Sequence, residues 1–161
     1  MSSPNIPTPD NPGVIAPPPL VFAGMLATGI LVDRYVAGSS MALATPPRQV
    51  FAFILFVAGL LFLAGAIGRF RRAGTRAEPC QPTTAIVTHG IYRYTRNPMY
   101  VGMALAYAAV AVFADSPTAL LLLPLAVLAI HHGVILREER YLAAKFGAEY
   151  LDYKSRVRRW L

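Results

Sequence analysis

From Gln49 to Gly68 the chain runs for about twenty residues without a charged side chain, and Arg69, Arg71 and Arg72 then stop the run abruptly. As a helix, such a run rises roughly 30 Å, the depth of a bilayer's hydrocarbon core. Three further apolar runs accompany it, at 20–36, 99–114 and 118–136. Of the 161 residues 55% are hydrophobic and 14% charged. A soluble domain carries about 25% charged residues and needs them to cover its core. The expected fold is therefore all-α: an integral membrane helical bundle of about four transmembrane helices.

The connections give the order. The first apolar run ends near Asp33 and Arg34, within reach of headgroups or of each other. Gly38, Pro46 and Pro47 then turn the chain. The third run is alanine-rich, and Gly102 and Ala106 permit close helix approach. Asp115-Ser116-Pro117 predicts a tight turn, with Pro117 suited to a helix's first turn. The fourth run contains Pro124 and continues without a breaker into Arg137-Glu138-Glu139-Arg140. From Tyr141 to Leu161 one amphipathic helix, or two short ones, forms a C-terminal cap at the interface. Residues 1–19, with seven prolines, read as a disordered tail, and 20–161 as a single domain.

The net charge of +7 is unevenly spread. Six Arg and one Glu lie between Arg69 and Arg96, and seven Lys or Arg face four acids from Arg137 onward, whereas the turn at Asp115 carries no base. Bases that flank spans mark the cytoplasmic side. They place the linker, the cap and both termini in the cytoplasm, and they argue against a nucleic-acid partner, which requires one continuous patch. Cys80 is the single cysteine, which excludes an internal disulfide or a thiolate zinc cluster. His131 and His132 have no third ligand at useful spacing, so no metal site is expected.

If the third and fourth runs form a tight hairpin, their ends beyond the turn are neighbours. Arg96 and Tyr100 then meet Glu138 and Glu139. A seven-residue spacing, about two helical turns, sets His131 on the face of Glu138 and His132 on that of Glu139. Ionisable groups at the end of a span are costly and usually face a cavity or a partner. One reading is structural, with the acids paired to Arg96, Arg137 or Arg140 to hold the hairpin. The other is a binding site.

The stretch Thr88–Gly102 contains Gly90-Ile91-Tyr92, Arg96-Asn97-Pro98 and Tyr100-x-Gly102. It resembles the signature of the isoprenylcysteine carboxyl methyltransferase and phospholipid N-methyltransferase superfamily, a Gly-x-Tyr followed by Arg-His-Pro-x-Tyr-x-Gly. Glu138-Glu139, Leu142, Phe146-Gly147, Tyr150, Tyr153 and Val157 resemble the family's second motif. Asn97 stands where histidine is common, and Arg158 where proline is. The resemblance implies methyl transfer from S-adenosylmethionine to a membrane lipid or hydrophobic small molecule. It implies Arg96, Glu138 and Glu139 as catalytic residues. His89, Gly90, Tyr92, Arg96, Asn97, Pro98, Tyr100, Glu138 and Glu139 would bind the cofactor. A nicotinamide-dependent membrane reductase of related architecture, or a non-catalytic membrane interaction protein, are the alternatives.

Overall fold

A computed structural model describes residues 12–74 and 83–161. Every long helix opens on proline. Pro18 begins α1 (Pro18–Val32), Pro46 and Pro47 lie in the first turn of α2 (Thr45–Arg72), Pro98 starts α3 (Pro98–Phe113) and Pro117 starts α4 (Pro117–Ile130). The missing N–H costs nothing there, because first-turn amides have no intrahelical acceptor. A π-helical turn, Asp33–Ala37, ends the first helix, and Gly38 (φ +61°) caps it in the left-handed region. Arg69, Arg71 and Arg72 close α2, where cations meet the negative end of the helix dipole. A second π-helical turn, His131–Ile135, joins α4 to α5 (Leu136–Phe146) in one continuous 30-residue rod. Gly147 (φ +54°) breaks it before α6 (Ala148–Arg156), and an extended strap runs to Leu161.

The fold is the expected all-α membrane bundle with a C-terminal helical cap. Among the described residues, Pro18–Ala37, Thr45–Arg72 and Pro117–Phe146 are long and apolar enough to cross a bilayer. Helix α3 has 16 residues, a rise of about 24 Å. It runs the same course but is the most enclosed helix, with Tyr100, Val101, Gly102, Tyr107, Ala109, Ala111 and Val112 buried. Protein instead of lipid receives the non-helical backbone at its ends, which removes the need for full spanning length. Facing lipid are such side chains as Phe53, Leu61 and Leu121.

Two close crossings set the packing. Helix α2 lies on α3 at Gly59 and Gly102. A Cβ on Gly102 would come within 2.9 Å of the Gly59 carbonyl oxygen, and one on Gly59 within 3.0 Å of the Ala106 nitrogen. Helix α1 lies on α4, where a Cβ on Gly29 would meet the Ala119 Cα at 2.4 Å. Phe22, Tyr107, Ala111, Ala126 and Ile130 fill the core, and the Tyr107 hydroxyl donates to the Ala119 carbonyl at 2.8 Å.

At the end formed by the α3–α4 turn, Ser116 caps α4 by accepting from the Ala119 N–H, and the buried Asp33 accepts from Ser116, from the Thr118 hydroxyl and from the Thr118 N–H. Asp115 accepts from Ser40 and from the Met41 N–H and pairs with Arg48. These bonds tie the first helix to the hairpin.

The π turn corrects the seven-residue register. One π turn accommodates an extra residue, so position i aligns with i+8 across it. His131 therefore shares the face of Glu139 instead of Glu138, in electrostatic contact with Glu139 and Arg159 and stacked on Trp160. The proline-rich tail up to Asn11, together with Pro79, Cys80 and Pro82 of the linker, lies outside the described residues. From Pro12 the chain follows the π turn: the Ile15 N–H donates to the Gly133 carbonyl, and Arg137 donates to that of Gly13.

Candidate functional site

The tight hairpin brings the approach to α3 against the start of α5. The Tyr100 hydroxyl donates to Glu138 Oε1 at 2.8 Å, and Arg96 Nη2 donates to Glu139 Oε1 at 2.9 Å. Between them lies a partly open cavity with about 810 Å³ of non-atom space, the solvent at its mouth included. Its polar lining includes Tyr92, Arg96, Asn97, Tyr100, Glu138 and Glu139; its apolar wall includes Phe70, Ile86, Val87 and Leu142.

The two acids have different surroundings. Glu139 is buried and fully engaged. Its Oε1 accepts from Arg96 and from Arg159 Nε (2.8 Å), and its Oε2 accepts from Arg159 Nη2 (2.9 Å) and Lys154 Nζ (3.0 Å). Arg137 and Arg140 take no part; they donate to the carbonyls of Gly13 and Leu136. Glu138 keeps its Tyr100 bond, and among the described residues no cation lies within ion-pair distance of it. The local tally is three cations, Arg96, Lys154 and Arg159, against two carboxylates. That surplus favours a ligand with an anionic group, while Glu138 remains available to a cationic one.

Among the described residues, two buried donors of the cavity lining are without a hydrogen-bond partner: the Tyr92 hydroxyl and Arg96 Nε. Nη1 and Nη2 of Arg96 each already donate, to the Lys154 carbonyl and to Glu139, whereas Nε is the nitrogen with no partner among the described residues and can donate to a ligand. Burial pushes the Tyr92 phenol well above its ordinary range, helped by Tyr153 and Glu138 nearby. It remains a donor at any physiological pH. Buried donors without partners cost free energy unless a ligand or water meets them. A donor pair, a carboxylate that has no cation beside it among the described residues, and an apolar wall fit an amphiphilic ligand carrying both a carboxylate and an ammonium group.

Not every residue of the first motif reaches the cavity. His89 lies in a neighbouring groove with Thr88, Arg93, Tyr153, Arg156 and Val157, and its Nδ1 is 2.8 Å from the Thr88 hydroxyl. Gly90 (φ +67°) supports the segment from below. A Cβ there would come within 2.4 Å of Arg69 Nε, which lies on a flexible side chain and can move; the left-handed backbone is what favours glycine. Pro98 is fully buried at the start of α3 and orients Asn97 and Tyr100. Tyr150 and Tyr153 also line the cavity, and the Tyr153 hydroxyl donates to the Tyr92 carbonyl at 2.8 Å.

Sequence reasoning passed over Lys154 and Arg159. The available signal was the run of bases from Lys154 to Arg159, which follows the acid pair by about four helical turns and can fold back onto it. A family model described as phospholipid methyltransferase matches residues 47–149. This stretch contains both motifs' main residues and stops short of Lys154 and Arg159. A Haemophilus influenzae protein described as uncharacterized is 41% identical over 63 residues, which are its whole length and 39% of this chain.

Proposed function

Because the chain belongs to the phospholipid methyltransferase family, we propose that it transfers a methyl group from S-adenosylmethionine to a hydrophobic or lipidic acceptor at the cytoplasmic membrane face. One observation carries this reading. Among the described residues, one cavity at the end of the bundle joins a carboxylate with no cation partner, two unsatisfied donors and an apolar wall. When bound, the cofactor supplies an electrophilic methyl group on a sulfonium.

The residues then divide the work. Glu138, oriented by Tyr100, accepts hydrogen bonds from the α-ammonium group. Arg96 Nε and the Tyr92 hydroxyl donate to the α-carboxylate, in a site with surplus positive charge. Phe70, Ile86, Val87 and Leu142 exclude water and present an apolar surface to the acceptor. Methyl transfer is an in-line displacement, so these residues act by alignment and desolvation. The bases at the cavity end support a cytoplasmic orientation, in which a water-soluble donor is available.

The test is binding to the purified protein in detergent, S-adenosylmethionine against NADPH, followed by transfer of labelled methyl into a membrane lipid extract. Saturable binding of S-adenosylmethionine with label appearing in the lipid phase is the expected result. Binding of NADPH in its place would show a reductase, and binding of neither would overturn the enzymatic reading.

A further inference from the structure

The strap after α6 is extended from Val157 onward and crosses the approach to α3. Three hydrogen bonds hold it there. The Arg96 N–H donates to the Arg158 carbonyl at 2.9 Å, and the Thr95 hydroxyl and Asn97 Nδ2 both donate to the Arg159 carbonyl at 3.0 Å. The Asn97 N–H in turn donates to the Thr95 hydroxyl at 3.2 Å. Beyond them Trp160 stacks on His131 and packs against the core. From this anchored backbone the Arg159 guanidinium reaches Glu139 with two parallel bonds.

Removing the strap would leave Thr95, Asn97 and the Arg96 amide without acceptors, and Glu139 with Arg96 and Lys154 alone. Glu139 would then be free to shift with the Arg96 fork. We propose that the strap Val157–Trp160 is a working part of the methyl-donor site, with Asn97 and Arg159 as positioning residues that fix Arg96 and Glu139 around the cavity. This rests on the methyltransferase reading above. It also gives Asn97 a function that needs no proton transfer: an amide N–H held on a backbone carbonyl. An imidazole N–H at this position can make the same bond.

The test uses the full-length protein in detergent, with S-adenosylmethionine as probe and four variants: Arg159→Ala, Arg159→Lys, Asn97→Leu and Asn97→His. Arg159→Ala is expected to raise the donor KM and Kd on the order of 10–100-fold, the effect of misplacing a binding group by about an ångström, with the acceptor KM moved far less. Arg159→Lys should recover only a minor part, since an ammonium cannot make two parallel bonds. Asn97→Leu should weaken donor binding, and Asn97→His should recover most of that loss.

A tail that merely stabilised the fold would lower the folded fraction, and with it apparent kcat, but leave donor KM unchanged. Folded Arg159→Ala and Asn97→Leu proteins whose donor Kd stays within about twofold of the unaltered protein would overturn the proposal. If Arg159→Ala fails to fold, Arg159→Lys and the Asn97 pair decide by the same criterion. Failure of the unaltered protein to bind S-adenosylmethionine would instead overturn the functional reading, and the inference with it.

Discussion

Glu138 and Glu139 are adjacent in sequence yet carry different burdens. Glu139 is enclosed by Arg96, Lys154 and Arg159, and its loss leaves three cations facing one another in a poorly hydrated site. Glu139→Ala should therefore destabilise the fold by about 3–5 kcal/mol, the usual cost of removing one partner from a buried charge pair. The midpoint of thermal unfolding in detergent reads this directly. Glu138→Ala removes a carboxylate whose protein partner is Tyr100. It should spare most of the stability and abolish measurable S-adenosylmethionine binding. The motif Glu-Glu was legible in the sequence, but the division between a structural acid and a ligand-facing one was not. That division depends on Arg159, which returns to the site from the far end of the cap.

The tyrosines beside this pair impose an alkaline limit. Burial pushes Tyr150 up to about 12 from an ordinary value of 10.0, and it pushes Tyr153 upward as well. The folded protein thus holds these protons more tightly than the unfolded chain does. Their contribution to stability is complete below pH 10, and rising pH then favours unfolding, because unfolding releases protons in that window. Unfolding midpoints measured from pH 9 to 12 should fall as Tyr150 passes from about 10 toward about 12. Tyr150→Phe, with no proton to lose, should show a shallower fall.

At the level of elements, the sequence showed which segments are helical because apolar runs, prolines and terminal arginines all mark the same limits. The crossings were partly visible too. Gly102 and Ala106 form the α3 side of the contact with α2, but their partner Gly59 was hidden within a uniformly apolar run. A Cβ on Gly102 would lie 2.8 Å from Leu63 Cγ and 2.9 Å from the Gly59 carbonyl oxygen. The Leu63 side chain can yield, whereas the backbone oxygen cannot without moving α2. Gly102→Ala is expected to destabilise by about 1–3 kcal/mol, as overpacking does, and to lower donor affinity because Tyr100 lies half a turn away. Thermal midpoint and S-adenosylmethionine titration on the same sample check both. The π turn at His131–Ile135 was not legible, because nothing in His-His-Gly-Val-Ile distinguishes it from α-helix. It turns His131 toward Trp160 and Glu139, and the carbonyl of Gly133 receives the Ile15 N–H.

Charge and topology act together across the whole molecule. The four main helices alternate in direction, so Pro12, the 83–97 approach and the cap all lie at the cavity end. Among the described residues that end carries twelve Lys or Arg and four acids, and the opposite end carries Asp33, Arg34, Arg48 and Asp115. Such asymmetry favours an orientation with the basic end inside, and the proposed function requires it, because the donor is water-soluble. The orientation can be measured with single cysteines in a Cys80→Ser background. Arg140→Cys, exposed beside the cavity, should react with a membrane-impermeant maleimide in inside-out vesicles and stay protected in intact cells. Leu43→Cys, exposed in the loop at the other end, should show the reverse. If Arg140→Cys is the one labelled from outside, the cavity faces away from the cell's supply of methyl donor, and the proposed chemistry fails together with its topology.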